Sequence, residues 1–466
     1  MKNRIFYFFF IGFLSLLTSC GTSKSKHHKP DITAFNNTKP VVEKLSDSVF
    51  ISGKNSLLKN KQGLWELYVE GDPLEIGLST GALTDSLLQK QQRIFFSKIT
   101  DFIPSKFQQK LLRYFLKWYN RKLYLNVPDE YQTEIYGISQ YTSNEFDNIA
   151  PQYQRSLYLH AAHDIGHALQ DLALVGCSSF AAWNEKSEDG NLILARNFDF
   201  YVNDAFAENK IVAFIKPKEG FPFMMVTWPG MIGAVSGMNL EGLTVTINAS
   251  KSKIPMSAKT PISILTREIL QHAKNLDEAI AIAKKRKVFV SESIMVGSAN
   301  DNKAILIEVS PTKMDVYDVP NTDQLICSNH FQGEAFAADK RNLDQIANSH
   351  SEYRFEKMQE LLSETPKVNP EIASEILRNK EGLKNEILGF GNEKALNQLL
   401  AHHGIIFKPK EKLVWVSANP FQLGEFVCYD LNSIFGENQN TAKSFQKENL
   451  NIAKDPFFGN HCFSEF

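Results

Sequence analysis

The sequence predicts an α+β fold in which two stacked sheets are covered by helices, preceded by a mostly helical segment. Two patterns carry this. After Cys177, short strand-like segments follow one another with Gly, Pro or Asn turns between them, interrupted and then followed by helical runs. Before Cys177, residues 84–124 place apolar side chains at helical spacing.

Taken in chain order, "LWELYVEGDPLEIGLSTGAL" reads as a strand, a turn at Gly71-Asp72-Pro73, and a helix start holding two glycines. The aromatic-rich "FFSKITDFIPSKFQQKLLRYFLKWY" is helical and breaks at Pro104. A further helix spans roughly residues 151–173. It sets His160, His163 and His167 on one face at spacings of three and four. Metal ligands can take that spacing, as can histidines packed or hydrogen-bonded inside a helical subunit, and no acidic ligand motif accompanies them. Five strands are expected next: "NLILARNFDF", "KIVAFIKP", "FPFMMVTW", "AVSGMN" and "GLTVTINAS". Two helices occupy residues 261–286. Strands return in "ESIMVGSA", "KAILIEVS", "KMDVYDV" and "QLICSNHF", helices between Ser351 and Leu400, and last strands in "HGIIFKPKEKLVWVSAN" and "EFVCYDL". His402 and His403, at the head of that last group, are either pocket or packing residues.

Composition narrows the class. The chain carries 51 basic and 52 acidic residues, so no basic field invites nucleic acid. An apolar fraction of 43% is enough for a sizeable core. The leader has Lys2 and Arg4 ahead of an apolar run, Ile5 to Leu17, too short to span a bilayer comfortably. It ends in Leu17-Thr18-Ser19-Cys20, which resembles the lipobox of bacterial lipoproteins. The resemblance implies a signal peptide over residues 1–19 and a lipid on Cys20, with an ordinary secretory signal or uncleaved anchor as the alternative. Thr22 stands where an inner-membrane retention signal would carry Asp, so an outer-membrane or surface lipoprotein is expected, with a flexible tether over residues 20–45. Beyond Cys20 only Cys177, Cys327, Cys428 and Cys462 remain, with no metal-type spacing. The last three are expected to be structural. No metal or other cofactor is expected.

Cys177 follows Gly176, and Arg196-Asn197-Phe198-Asp199 closes the next strand-like segment. "GMNLEGLTVTINAS" carries Asn248, "LICSNHF" carries Asn329 and "SEYRF" carries Arg354. In this order the motifs resemble the N-terminal nucleophile (Ntn) hydrolases of the choloylglycine hydrolase and penicillin acyltransferase branch. The long segment ahead of the cysteine is similar to the penicillin acyltransferase-like autoproteolytic members. The resemblance implies a four-layer αββα domain over residues 177–440, an N-terminal segment over 46–176 that becomes a separate but associated subunit, and a C-terminal tail over 441–466.

It also implies the chemistry. Cutting Gly176–Cys177 frees an α-amine with a pKa of roughly 7.7–8.0, which serves the adjacent thiol as base. Arg196 is expected to stabilise the thiolate and lower its pKa. Asp199 then holds the α-amine or aligns Arg196. Asn248, with Asn329, donates to the oxyanion, and Arg354 supports the site by charge or orients Asn329. The expected activity is hydrolysis of a small-molecule N-acyl amide through an acyl-enzyme on Cys177. Acyl transfer to an amine is the alternative, and a catalytically silent binding lipoprotein is the alternative of another class.

Overall fold

Side-chain alternation assigns the faces of two sheets in the computed structural model, which describes residues 20–169, 176–200, 204–251, 257–389, 391–436 and 442–459. Helix α1 (Cys20–His27) and three short strands, β1 (Glu43–Ser46), β2 (Val49–Ser52) and β3 (Asn55–Lys59), lead into β4 (Trp65–Gly71). Five helices follow: α2 (Pro73–Leu83), α3 (Asp85–Phe102), α4 (Lys106–Tyr119), α5 (Asp129–Ser139) and α6 (Gln152–Leu169). Past Cys177 come β5 (Ser178–Ala182), β6 (Ile193–Asp199), the short α7 (Asp204–Glu208), β7 (Ile211–Pro217), β8 (Phe223–Thr227), β9 (Ser236–Asn239) and β10 (Leu243–Ala249). Helices α8 (Ile262–His272) and α9 (Leu276–Lys285) precede β11 (Glu292–Ser298), β12 (Lys303–Val309), β13 (Met314–Tyr317) and β14 (Gln324–Cys327). The chain closes through α10 (Lys340–Asn348), α11 (Ser351–Glu364), α12 (Pro370–Leu377), β15 (Ala401–Lys408), β16 (Leu413–Ser417), β17 (Phe426–Asp430) and α13 (Leu431–Ile434).

An eleven-stranded sheet runs β1-β2-β3-β4-β7-β8-β9-β10-β11-β12-β13, and a six-stranded sheet runs β14-β5-β6-β15-β16-β17. Leu243, Val245 and Ile247 of β10 point to one core with Leu265 and Ile269 of α8 and Ala279 of α9. Met224 and Val226 of β8 meet Leu194, Ile405 and Val416 of the smaller sheet in a second core between the sheets. Ile193, Ala195 and Ile406 face Met358 of α11 and Ile376 of α12 in a third. The layers are therefore α, β, β, α. Each fully buried Leu, Ile or Val contributes roughly 1.5–3 kcal/mol to holding them together.

The segment before Cys177 is mostly helical, and it also supplies four strands to the larger sheet. Its β4 lies parallel to β7, from Trp65 opposite Ile211 to Gly71 opposite Pro217. The α2 start follows from its sequence: Asp72 accepts from the backbone of Leu74 and Glu75, Glu75 returns the bond, and Pro73 stands in the first turn. The glycines of "IGLSTGAL" bring helices into contact, since a Cβ on Gly77 would overlap the Glu134 carbonyl of α5. Arg267 of α8 then reaches Glu134 at 3.0 Å, both side chains almost wholly buried. Glu134→Ala should therefore lower stability by about 3–5 kcal/mol, since it strands a buried guanidinium. A loss below about 1 kcal/mol in chemical denaturation would mean the pair is idle.

Several segments depart from the sequence-based expectation. The tether region contains α1 and β1, and His28 meets Gln132 at 2.9 Å, so local contacts hold part of it on the body. Residues 379–400 are not helical; among the described residues only a 3-10 turn, Leu383–Asn385, interrupts an irregular loop. The C-terminal tail is partly packed: Phe445 donates its backbone N–H to the buried Glu66, and Ile452 bridges to Phe426. Residues 1–19 and Cys462 lie outside the described residues, as do the side chains of Cys20, His163 and His167.

Candidate active site

Register brings the first two predicted residues together. β5 and β6 pair with Ser178 opposite Asn197 and Ser179 opposite Arg196. Cys177, just before β5, is thereby carried to Arg196, and the guanidinium Nη2 stands 3.4 Å from its Sγ. Four other contacts fix that guanidinium. Nη1 donates to Val235 O at 2.6 Å and Ser236 Oγ at 2.6 Å, Nη2 donates to Ile247 O, and the Phe198 ring lies 4.3 Å away. A buried cation is thus aimed at a buried thiol.

Cys177 is 1% exposed. Burial pushes its thiol up from the ordinary value, Arg196 pulls it down, and the Asp199 charge pushes it up again. The expected lowering is therefore outweighed in the uncut chain, because desolvation acts against the thiolate more strongly than one cation favours it. Burial raises Asp199 to about 7 against the pull of Arg354 and Arg196. Among the described residues its Oδ1 has no hydrogen-bond partner, while Oδ2 accepts from Gln398 Nε2 at 3.3 Å.

Asn248, Asn329 and Arg354 surround this pair as a brace. Asn248 Nδ2 donates to Cys327 O at 3.1 Å and Ser328 O at 3.0 Å, and its Oδ1 accepts from Ser179 Oγ at 2.8 Å. Asn329 Nδ2 donates to Ala249 O at 3.0 Å. Arg354 Nη2 donates to Asn329 Oδ1 at 2.8 Å, and Nη1 to Glu393 O at 2.8 Å. The Nδ2 donors expected to face an oxyanion are thus directed at backbone carbonyls that tie β10 to the end of β14.

The histidines divide by position. His160 uses Nδ1 against Ser156 O at 2.8 Å and accepts from Ile232 N–H on Nε2 at 3.0 Å, so both ring nitrogens are engaged within the fold. Burial lowers it to about 4. His402 and His403 sit on β15 beside a register shift opposite β6. Their Nδ1 atoms are 2.9 Å apart, and His403 Nε2 reaches Ser236 Oγ, the hydroxyl that also receives Arg196. Burial keeps both rings neutral. Among the described residues no group of His, Cys, Asp or Glu is placed to hold a metal ion.

Two features had no signal in the sequence. Gln398, in the loop before β15, donates Nε2 to Gly176 O at 3.0 Å as well as to Asp199. Beyond Asp199, an apolar cleft is lined by Phe200, Phe206, Trp228 and Met231, with Leu88 and Phe95 of α3. Phe200 stacks on Phe198 at 5.6 Å and on Trp228 at 5.9 Å, so the cleft begins one ring away from the Arg196 guanidinium.

The family model described as acyl-coenzyme A:6-aminopenicillanic acid acyl-transferase matches residues 183–419, just over half of the chain. That span opens six residues after Cys177 and includes Arg196, Asp199, Asn248, Asn329, Arg354 and Gln398. An uncharacterized protein of Archaeoglobus fulgidus is 26% identical over 275 residues, which are 54% of this chain and 45% of that one. Protein dcd1B of Dictyostelium discoideum is 24% identical over 267 residues, 54% of this chain and 51% of its own. The chain spans about half the length of the curated relatives it matches. Among solved structures, an N-acylethanolamine-hydrolyzing acid amidase ortholog of Caenorhabditis elegans gives a TM-score of 0.38 at 17% identity, covering 50% of this chain and 93% of that one. Penicillin V acylase from Agrobacterium tumefaciens gives 0.35 at 12% identity, covering 60% and 98%.

Proposed function

Since the chain belongs to the acyl-coenzyme A:6-aminopenicillanic acid acyl-transferase family, we propose that it is a self-processing cysteine amidohydrolase that cleaves a small N-acyl amide through an acyl-enzyme on Cys177. The observation that carries this is the Arg196 guanidinium 3.4 Å from a buried Cys177 thiol whose preceding carbonyl is itself hydrogen-bonded.

The uncut chain holds no free amine at Cys177, so the enzyme is latent. Self-cleavage starts when Asp199 takes the thiol proton and Sγ attacks the Gly176 carbonyl carbon. The C–S bond forms and the C–N bond breaks. The proton passes to the departing nitrogen, leaving a thioester and the Cys177 α-amine. Water then adds to the thioester, the C–S bond breaks, and Gly176 leaves as a carboxylate. The pieces, residues 20–176 and 177–466, stay together through the β4–β7 pairing.

In the mature enzyme the α-amine is the base and Arg196 favours the thiolate. The substrate carbonyl is attacked, its amine departs with the proton, and water releases the acyl group as an acid. In the uncut chain the cleft beside Phe200 has a volume of about 50 Å³, so it offers an apolar wall for the acyl group rather than a formed pocket. Acyl transfer stands as the second reading because the family description names it; it differs only in an amine, rather than water, resolving the acyl-enzyme. Mass spectrometry of purified protein incubated with bile-salt, N-acyl amino-acid, ceramide-like and β-lactam amides tests both. An acyl adduct on Cys177 supports the proposal, and its absence with every probe overturns it.

The lipid on Cys20 holds the enzyme in the cell envelope, at the outer membrane or surface. The support is the leader and its Leu17-Thr18-Ser19-Cys20 end. Cys20→Ala should move the protein out of the membrane fraction; equal membrane binding by both forms would place the anchor elsewhere.

A further inference from the structure

We infer that Gln398 is a catalytic residue of self-cleavage: its side-chain amide polarises the Gly176 carbonyl for thiol attack and holds Asp199 in place to receive the thiol proton. The inference rests on the self-cleavage proposed above and names a group that the mechanism there does not use.

The geometry is specific. Gln398 is 4% exposed, and its Nε2 donates to Gly176 O at 3.0 Å and to Asp199 Oδ2 at 3.3 Å. When Sγ adds to the Gly176 carbon, the negative charge develops on that same oxygen, so the donor is already placed where charge appears. The usual side-chain donors are committed elsewhere. Asn248 Nδ2 faces Cys327 O and Ser328 O, and Asn329 Nδ2 faces Ala249 O. Arg196 Nη1 faces Val235 and Ser236, while its Nη2 faces the thiol and Ile247 O. Of these side chains, Gln398 is the one that reaches the scissile carbonyl.

The loop that carries Gln398 is built to hold it. Leu399 adopts φ +54, a left-handed conformation that a leucine keeps only when its surroundings impose it. Its N–H donates to Asn397 Oδ1 at 3.3 Å, and Asn397 N–H donates to Asn379 O at 2.9 Å. Arg378, next to Asn379, is tied to Gln422 O and Gly424 O. Gln398 therefore points at Gly176 from a fixed backbone. Gly176 fits this contact because a Cβ there would lie 2.5 Å from Gln398 Nε2 and 2.8 Å from Oε1. A larger residue would push the donor away from the carbonyl it serves.

The test is a cleavage time course on full-length protein, read by gel and by N-terminal sequencing of the larger piece. Gln398→Met keeps length and removes the donor; cleavage should slow by about 10²- to 10³-fold, the usual cost of one oxyanion donor. Its melting temperature should stay near wild type. Hydroxylamine, which captures a thioester, should not restore cleavage, because the blocked step precedes thioester formation. Gly176→Ala should also be slow alone yet add little in the Gln398→Met background, since both changes remove one contact. Wild-type cleavage rates in Gln398→Met, or rescue by hydroxylamine, overturn the role. Should the methionine variant unfold, Gln398→Leu removes the donor without adding a second carboxyl beside Asp199, and normal cleavage there overturns it equally. A wild-type chain that never breaks at Gly176–Cys177 removes the self-cleavage itself, an outcome distinct from a wild type that cuts and a Gln398 variant that cuts as fast.

Discussion

Cys177→Ala should yield one uncut, folded chain with no acyl adduct and no turnover. The side chain is small and buried, so losing its sulfur costs about 1 kcal/mol of stability, the centre of the range for point changes. Both proposed reactions lose their nucleophile. Removing the nucleophile from a hydrolase of this logic lowers kcat on the order of 10⁶-fold. Cys177→Ser keeps an oxygen nucleophile of far higher pKa, so slow cleavage and weak turnover are expected. Gel mobility of the purified variant and its rate on the substrate found in the amide screen are the measurements. Cleavage at Gly176–Cys177 in the alanine variant, or turnover within tenfold of wild type, sinks the assignment. Thiol alkylation adds a second check. In the cleaved protein the loss of the peptide in front of Cys177 should let it react ahead of Cys327 and Cys428, both buried in the fold. Labelling of those two with Cys177 untouched would contradict it.

The approach of Arg196 to Cys177 was legible in the sequence for a local reason. Arg196 and Asp199 lie on β6, and Cys177 immediately precedes β5, its antiparallel neighbour, so a short connection fixes their relation and leaves a recognisable spacing. The period-2 pattern of β10 likewise places Asn248 opposite the face of Val245 and Ile247. Gln398 could not be read this way. It sits in an irregular loop, meets Gly176 across 222 residues of chain, and has nothing in "ALNQLLA" to mark it. The apolar cleft was equally hidden, because its wall joins α3 to residues near β6 and β8 that lie more than a hundred positions away.

Fold and expectation part where weak local signals meet tertiary contacts. β1, β2 and β3 are four or five residues long, too short for alternation to stand out, and they join the sheet in succession through the pairing of β3 with β4. Residues 379–400 are apolar enough to suggest a helix. Their backbone instead bends around the small sheet, with Asn197 Nδ2 bonding Leu377 O and Leu396 O. The tail over residues 441–466 is expected from the sequence only as a C-terminal extension, with no element assigned to it. Trp415 Nε1 nevertheless donates to Leu450 O at 2.7 Å and secures it.

Asp199→Asn separates chemistry from stability and should move them in opposite directions. In the proposed role of proton acceptor Asp199 would work only when ionised, and its carboxyl is raised to about 7. Wild-type self-cleavage should therefore accelerate as pH rises through about 7 and level off above it. The asparagine variant should lose that inflection and run about 10²- to 10⁴-fold slower, the usual worth of a positioned acid or base. Stability follows the opposite sign. The folded state holds its proton up to about pH 7, whereas the unfolded carboxyl releases it near its ordinary value of about 3.9. Between those values the folded state binds more protons, so the uncut wild type loses stability as pH rises from about 4 to about 7. The loss from this one group is at most about 4 kcal/mol, at about 1.4 kcal/mol per unit. Asparagine carries no such cost, so the variant should gain on wild type at pH 8 and match it more closely near pH 4. The gain is smaller than that ceiling because Arg196 and Arg354 lose a carboxylate whose charge favours theirs. Denaturant midpoints of uncut proteins, compared in a Cys177→Ala background at pH 4 and pH 8, measure it. An asparagine variant that cleaves with an unchanged pH profile, or is less stable than its parent at pH 8 by more than at pH 4, removes Asp199 as the buried proton acceptor.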